Sequence, residues 1–99
     1  MTSKAVEFHE EARLESAAAS EWYLEGSEVA ASRFVAELSR AIAAIAEAPQ
    51  RWPAGVSGTR RFVLQRFPYA VVYRELPSKI QVLAVAHGRR RPGYWRERA

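Results

Sequence analysis

Cysteine is absent from the 99 residues, which rules out disulfides and any cysteine-ligated metal and makes a reducing, cytoplasmic setting the expected one. No apolar run approaches the roughly 20 residues that a membrane-spanning helix needs, so a membrane is not an expected partner. The opening MTSKAVEFHEEA is too acidic and too interrupted to act as a signal peptide. His9, beside Glu10 and Glu11, has no second histidine at ligand spacing, so no metal site is expected. Gly55 and Gly58 lack the lysine and helix of a phosphate-binding loop, and no cofactor is expected either. There is no internal repeat and no low-complexity segment beyond alanine-rich stretches. Finally, acids are scarce where bases are dense. Residues 1–50 hold four basic residues against nine glutamates, a net −5, whereas residues 51–99 hold eleven basic residues against two glutamates, a net +9.

What is present is a globular composition, 48% apolar, in a length that suits one domain spanning 1–99. Ala5–Phe8 reads as a short strand, with Val6 and Phe8 on one face. From His9 or Glu10 to about Glu25 the composition favours helix, with Ala12, Ala19 and Tyr23 on one side and Trp22 beside them, so that both aromatics are expected to pack. Gly26 ends this helix and Ser27 caps the next, a link short enough to force an antiparallel hairpin. The second helix, Glu28 to about Ala48, carries Ala31, Phe34, Leu38, Ala41, Ile42 and Ile45 at helical spacing, with Arg33 and Glu37 as an i, i+4 pair on its wet side. Pro49 stops it. Gln50–Gly58 is a loop whose Trp52 should fold back onto the core.

Three strands follow, Arg60–Arg66, Tyr69–Leu76 and Ile80–Ala86. The third is apolar on both faces, as a central strand would be. The order β-α-α-β-β-β predicts an α+β fold in which a helical hairpin packs on one face of a mainly antiparallel sheet. Arginines on the second face would leave it for a partner, and a basic C-terminal tail follows the last strand.

That tail is the densest functional signal. The stretch IQVLAVAHGRRRPGYWRER delivers His87, a Gly88 turn and Arg89, Arg90 and Arg91, then Tyr94 and Trp95, to one edge of the domain. Ten of the eleven bases in residues 51–99 are arginines, whose forked guanidinium suits phosphate or carboxylate, so RNA, DNA or an acidic protein is the expected partner class. His87 reads either as an acid–base group or target contact, or as a structural residue bonded to a backbone carbonyl. Tyr94 and Trp95 read either as stacking platforms or as lid aromatics that hold the tail down.

Taken in order, VEFH, EWY, RFVAEL, PQRWP, RFPYAVVYR and VLAVAHGRRRPGYW span almost the whole chain. The set resembles the RelE/ParE superfamily of bacterial toxins from type II toxin–antitoxin pairs. The resemblance implies a growth-inhibitory toxin neutralised by a cognate antitoxin, with operator DNA reached only through the antitoxin complex. It implies one of two targets. One branch acts by binding DNA gyrase. Another cuts ribosome-bound messenger RNA without a metal, using a base, an acid and cations for the phosphorane charge. For that second activity the matching residues are Arg61, His87, Arg90 and Tyr94. Two expected cation positions are occupied by Val63 and Ala70, which favours binding over catalysis. Antitoxin or target contacts are expected from Arg60, Arg61, Arg66, Arg74, Arg89, Arg90, Arg91 and Trp95. A family member that only binds its antitoxin is a third possibility.

Overall fold

The computed structural model describes residues 3–99. A short strand β1 (Ala5–Phe8) leads into two helices, α1 (Glu10–Gly26) and α2 (Glu28–Glu47), and three strands follow, β2 (Thr59–Val63), β3 (Tyr69–Glu75) and β4 (Lys79–His87). The helix starts are set by side-chain acceptors for otherwise orphaned N–H groups. At α1 that acceptor is the imidazole of His9, whose Nδ1 takes the Glu11 N–H at 3.0 Å. At α2 it is Ser27, whose Oγ takes the Ala30 N–H at 3.2 Å. His9 is thus a helix cap. No helix among the described residues is long and apolar enough to cross a membrane.

The sheet runs β1-β4-β3-β2, with β4 antiparallel to β3 and parallel to β1. The fold is α+β, two helices on a mainly antiparallel sheet, and β4 is interior as its two-sided apolar sequence predicts. β1 reaches only half of β4, pairing Ala5 with Lys79 through Phe8 with Val82. Beyond Val82 the edge of β4 is covered by α1. A register shift between Val72 and Tyr73 inserts an extra β4 residue, Leu83, between the partners Val82 and Ala84. Leu83 and Ala84 consequently both join the cluster on the sheet face away from the helices.

Beneath the hairpin the core gathers Ala12, Ala19, Phe34, Ala41 and Ile45 with Val71, Tyr73, Ile80, Val82 and Val85. The small Ala12 and Ala19 let α1 approach the sheet closely. At one end Tyr23, Phe34, Phe67 and Tyr69 form a set of edge-to-face and tilted ring pairs with centroids 4.9–6.4 Å apart. Trp52 folds back as expected, with its ring 4.7 Å from that of Phe62.

Three expectations need correction. Trp22 is not packed: it is 66% exposed, because it lies off the stripe through Ala12, Ala19 and Tyr23, and its ring meets that of Tyr23 in a T-shaped pair at 5.1 Å. Glu37 does not pair along its helix with Arg33. Its Oε2 instead accepts the backbone N–H groups of Gln65 and Arg66, the latter at 3.2 Å. For that reason β2 ends at Val63 and not at Arg66: those two amides turn toward α2 and cap a bend.

Candidate functional site: a groove walled by the tail

The face of the sheet away from the helices is organised in cross-strand rows, since directly paired residues project to the same side. One row is Val63, Ala70 and Ala86. The next is Arg61, Val72 and Ala84, and the third is Thr59, Arg74 and Gln81. Arginines stand on this face as expected, Arg61 in the second row and Arg74 in the third. The centre of the face is apolar, and cations stand at its borders.

Above this floor the tail makes a wall. Gly88 donates its N–H to Pro68 O at 2.8 Å and Arg90 to His87 O at 3.0 Å, so the chain turns sharply after β4. Trp95, 9% exposed, then packs on Val72, Leu83 and Ala84, with Tyr94 against the same cluster. Gly93, at φ 76, makes the bend just before them, and the Arg96 guanidinium folds over it into space a side chain would need. Tyr94 and Trp95 thus hold the tail down. Between wall, floor and the loop before β2 lies a groove of about 1190 Å³.

Arg61, Arg66, Arg90, Arg91, His87, Tyr94 and Trp95 all border this groove. Arg60 borders it too, but its guanidinium is held by the carbonyls of Trp52 at 2.7 Å and Gln50 at 3.5 Å, and so fastens the loop. Arg74 stands outside, its Nε donating to Gln81 Oε1 at 2.8 Å. Arg89 is also outside, on the exposed side of the turn. The cationic border is accordingly carried by Arg61 and Arg66 on one side and by the tail arginines Arg90, Arg91 and Arg96 on the other.

His87 pairs directly with Tyr69 across the ladder, its ring meeting the Tyr69 ring edge-on at 5.0 Å. Its Nδ1 accepts the Arg89 N–H at 3.0 Å, which places the proton of the neutral ring on Nε2. This is a bond to backbone N–H and not to the carbonyl that sequence reasoning anticipated.

Tyr94 is occupied. Its hydroxyl donates to Glu15 Oε2 at 2.7 Å, and its ring lies under the Arg90 guanidinium, 3.8 Å from centroid to Cζ. Burial, then the bond to Glu15, push the phenol up to about 12, well above the ordinary tyrosine value. At neutral pH such a phenol is neither a base nor a free acid.

Glu15 was invisible to sequence reasoning, yet it organises the wall. Its carboxylate accepts the Val85 N–H at 3.0 Å, an amide β1 is too short to reach. It also takes a two-pronged pair of bonds from Arg98, both 3.0 Å, and lies 4.0 Å from Arg90 Nη1. Arg98 donates in addition to Leu83 O at 3.0 Å. The available signal was one glutamate close to the apolar side of a helix whose other acids face water. Among the described residues no cluster of potential ligands could hold a metal ion.

The sequence matches the profile of the family described as ParE toxin of type II toxin-antitoxin system, parDE, over residues 6–92. Among solved structures it is similar to a chain of the chromosomal ParDE TA system from P. aeruginosa, with a TM-score of 0.73 and 19% identity. The alignment covers 85% of this chain and 95% of that one, and at this identity the likeness is one of fold. A search of curated proteins gave no match.

Proposed function

The chain belongs to the ParE toxin family of type II toxin–antitoxin systems, and from that membership we propose that it inhibits growth when free by binding its target, DNA gyrase, and not by cutting RNA. Neutralisation follows when an acidic segment of the cognate antitoxin lies in the groove between Arg61 and Arg66 on one side and Arg90 and Arg91 on the other. Apolar side chains of that segment would seat on Val63, Ala70 and Ala86, and its carboxylates would meet the arginines, an arrangement suited to a peptide with both kinds of residue.

One observation carries the choice of binding over catalysis. Val63 and Ala70, which stand where the resembling ribonucleases carry cations, are direct cross-strand partners and make the groove floor apolar. A transition state with charge spread over a phosphorane would meet hydrocarbon there, and each missing electrostatic donor costs about 10²–10³ in rate. Tyr94 supports the same reading, since its proton is bonded to Glu15 and held to about 12.

The test compares two cell-free assays with the purified chain, supercoiling by gyrase and cleavage of ribosome-bound messenger RNA. Inhibited supercoiling with intact message is expected, relieved by adding antitoxin. Cleavage at discrete codons that vanishes in Arg90→Ala would overturn the binding reading in favour of the ribonuclease. Normal growth at full soluble expression would leave only a family member that binds its antitoxin.

A further inference from the structure

Glu15 lies on α1 outside the groove, with a side chain 16% exposed, and among the described residues its carboxylate's hydrogen-bond and ion-pair partners all belong to the tail or to β4. Its Oε2 receives the Tyr94 hydroxyl and one Arg98 nitrogen, and its Oε1 receives the other Arg98 nitrogen and the Val85 amide. A carboxylate filled on both oxygens fixes the Tyr94 ring in position and plane. Arg90 rests on that ring at 3.8 Å and feels the same carboxylate at 4.0 Å, while its own side chain is still 54% exposed toward the groove. No other acid lies within ion-pair distance of Arg90 among the described residues. The guanidinium has two supports, and both trace back to Glu15.

We infer that Glu15 is a positioning residue which, through the Tyr94 ring and its own charge, sets the place from which Arg90 meets an acidic partner in the groove. This rests on the groove being the antitoxin site. A long arginine side chain free in solvent loses considerable rotamer freedom on binding, and an arginine already held over a ring loses less. Glu15 therefore contributes to affinity without touching the partner.

The test is a double-mutant cycle on the whole chain, titrated by calorimetry with purified cognate antitoxin. Glu15→Gln keeps the shape but weakens the acceptors, and should reduce affinity roughly tenfold or more, as expected for loss of a charge-assisted bond. Arg90→Ala should then add less than about twofold in the Glu15→Gln background, since one effect acts through the other. Multiplying effects, or affinity unchanged in Glu15→Gln, would overturn the inference and leave Glu15 a folding residue. Should Glu15→Gln unfold, Tyr94→Phe, which keeps the ring and lacks the hydroxyl, takes its place with the same two outcomes. The Arg90 Nε–H resonance gives a reading independent of partner: it should be resolved and slow to exchange in the wild type, and averaged in Glu15→Gln. A wild-type chain that binds no antitoxin, or whose affinity ignores Arg61→Ala and Arg90→Ala alike, would sink the groove reading itself.

Discussion

Glu37 of α2 and Arg66 of the β2–β3 bend are joined by a carboxylate-to-amide hydrogen bond of 3.2 Å, with the Gln65 amide on the same oxygen. A helix side chain thereby ends a strand and sets where the Arg66 side chain leaves the backbone, at the border of the groove. Removing this acceptor in Glu37→Ala leaves two N–H groups to water at a partly exposed site. The expected cost is about 1 kcal/mol, below the full value for a buried unsatisfied donor. Urea unfolding measures it, and hydrogen exchange should quicken at Gln65 and Arg66 while Val71 and Val82 stay protected. Uniform quickening across β3 and β4 would show that the bond supports the whole sheet.

The tyrosine bonded to Glu15 makes alkaline stability a test of the wall. Its folded value is raised to about 12, above the unfolded tyrosine value near 10. The folded state thus keeps its proton where the unfolded state has lost it. Stability is fully present below about pH 10 and declines as pH rises from there toward 12, by at most about 2 kcal/mol once solvent screening of this part-exposed phenol is allowed for. Tyr94→Phe should flatten that decline. Tyr23, Tyr69 and Tyr73 are also raised by burial, so some alkaline slope will remain. An unchanged slope in Tyr94→Phe would mean that the phenol is not held as described.

Two tryptophans provide a contrast in burial. Trp95→Ala removes a side chain that is 9% exposed and should cost about 3–5 kcal/mol with loss of the tail's protection. Trp22→Ala, at 66% exposure, should change stability by no more than about 0.5 kcal/mol. Thermal unfolding of both variants decides it. A large loss from Trp22→Ala would mean that its ring is covered in solution.

Within the groove the arginines should separate by position. Arg61→Ala is expected to weaken antitoxin binding by about 2–5 kcal/mol, as for truncating one member of a desolvated charge pair. Arg74→Ala, already bonded to Gln81 and outside the groove, should cost well under 1 kcal/mol. Equal losses would place the partner across the third row of the sheet.

His87→Ala should leave growth inhibition intact. A group that moved protons would be worth about 10²–10⁴ in rate, so abolished toxicity in a folded variant would return catalysis to first place. Its ring is already engaged with Tyr69 and the Arg89 amide, and neither contact requires proton transfer.

The elements themselves were legible because their periodicities are clean: Phe34, Ala41 and Ile45 report the buried stripe of α2, and a strand apolar on both faces must be interior. The ends of elements were less so. Nothing local to Leu64–Arg66 announces that Glu37, distant in sequence, will claim two of its amides. The cations of the groove were visible as residue types, but their division was not. Arg60 and Arg61 are neighbours in sequence, and alternation sends one to loop carbonyls and the other to the open face. Glu15 was hidden for a similar reason. Its partners Val85, Tyr94 and Arg98 lie far along the chain, and a helix pattern carries no record of which strand amide lacks a neighbour.

The interior strand and the wall of the groove are both supplied by the last stretch of the chain, Lys79 onward. Synthesis delivers β1 and the hairpin first, at about 5–20 residues per second, and β2 and β3 follow, but β1 has no strand to pair with until β4 arrives to lie between it and β3. Until the segment from Lys79 onward has folded, Trp95 lies on no complete floor, no ring lies beneath Arg90 and Glu15 has none of its partners. The wall of the groove can therefore form only after β4 has joined the sheet on which it stands.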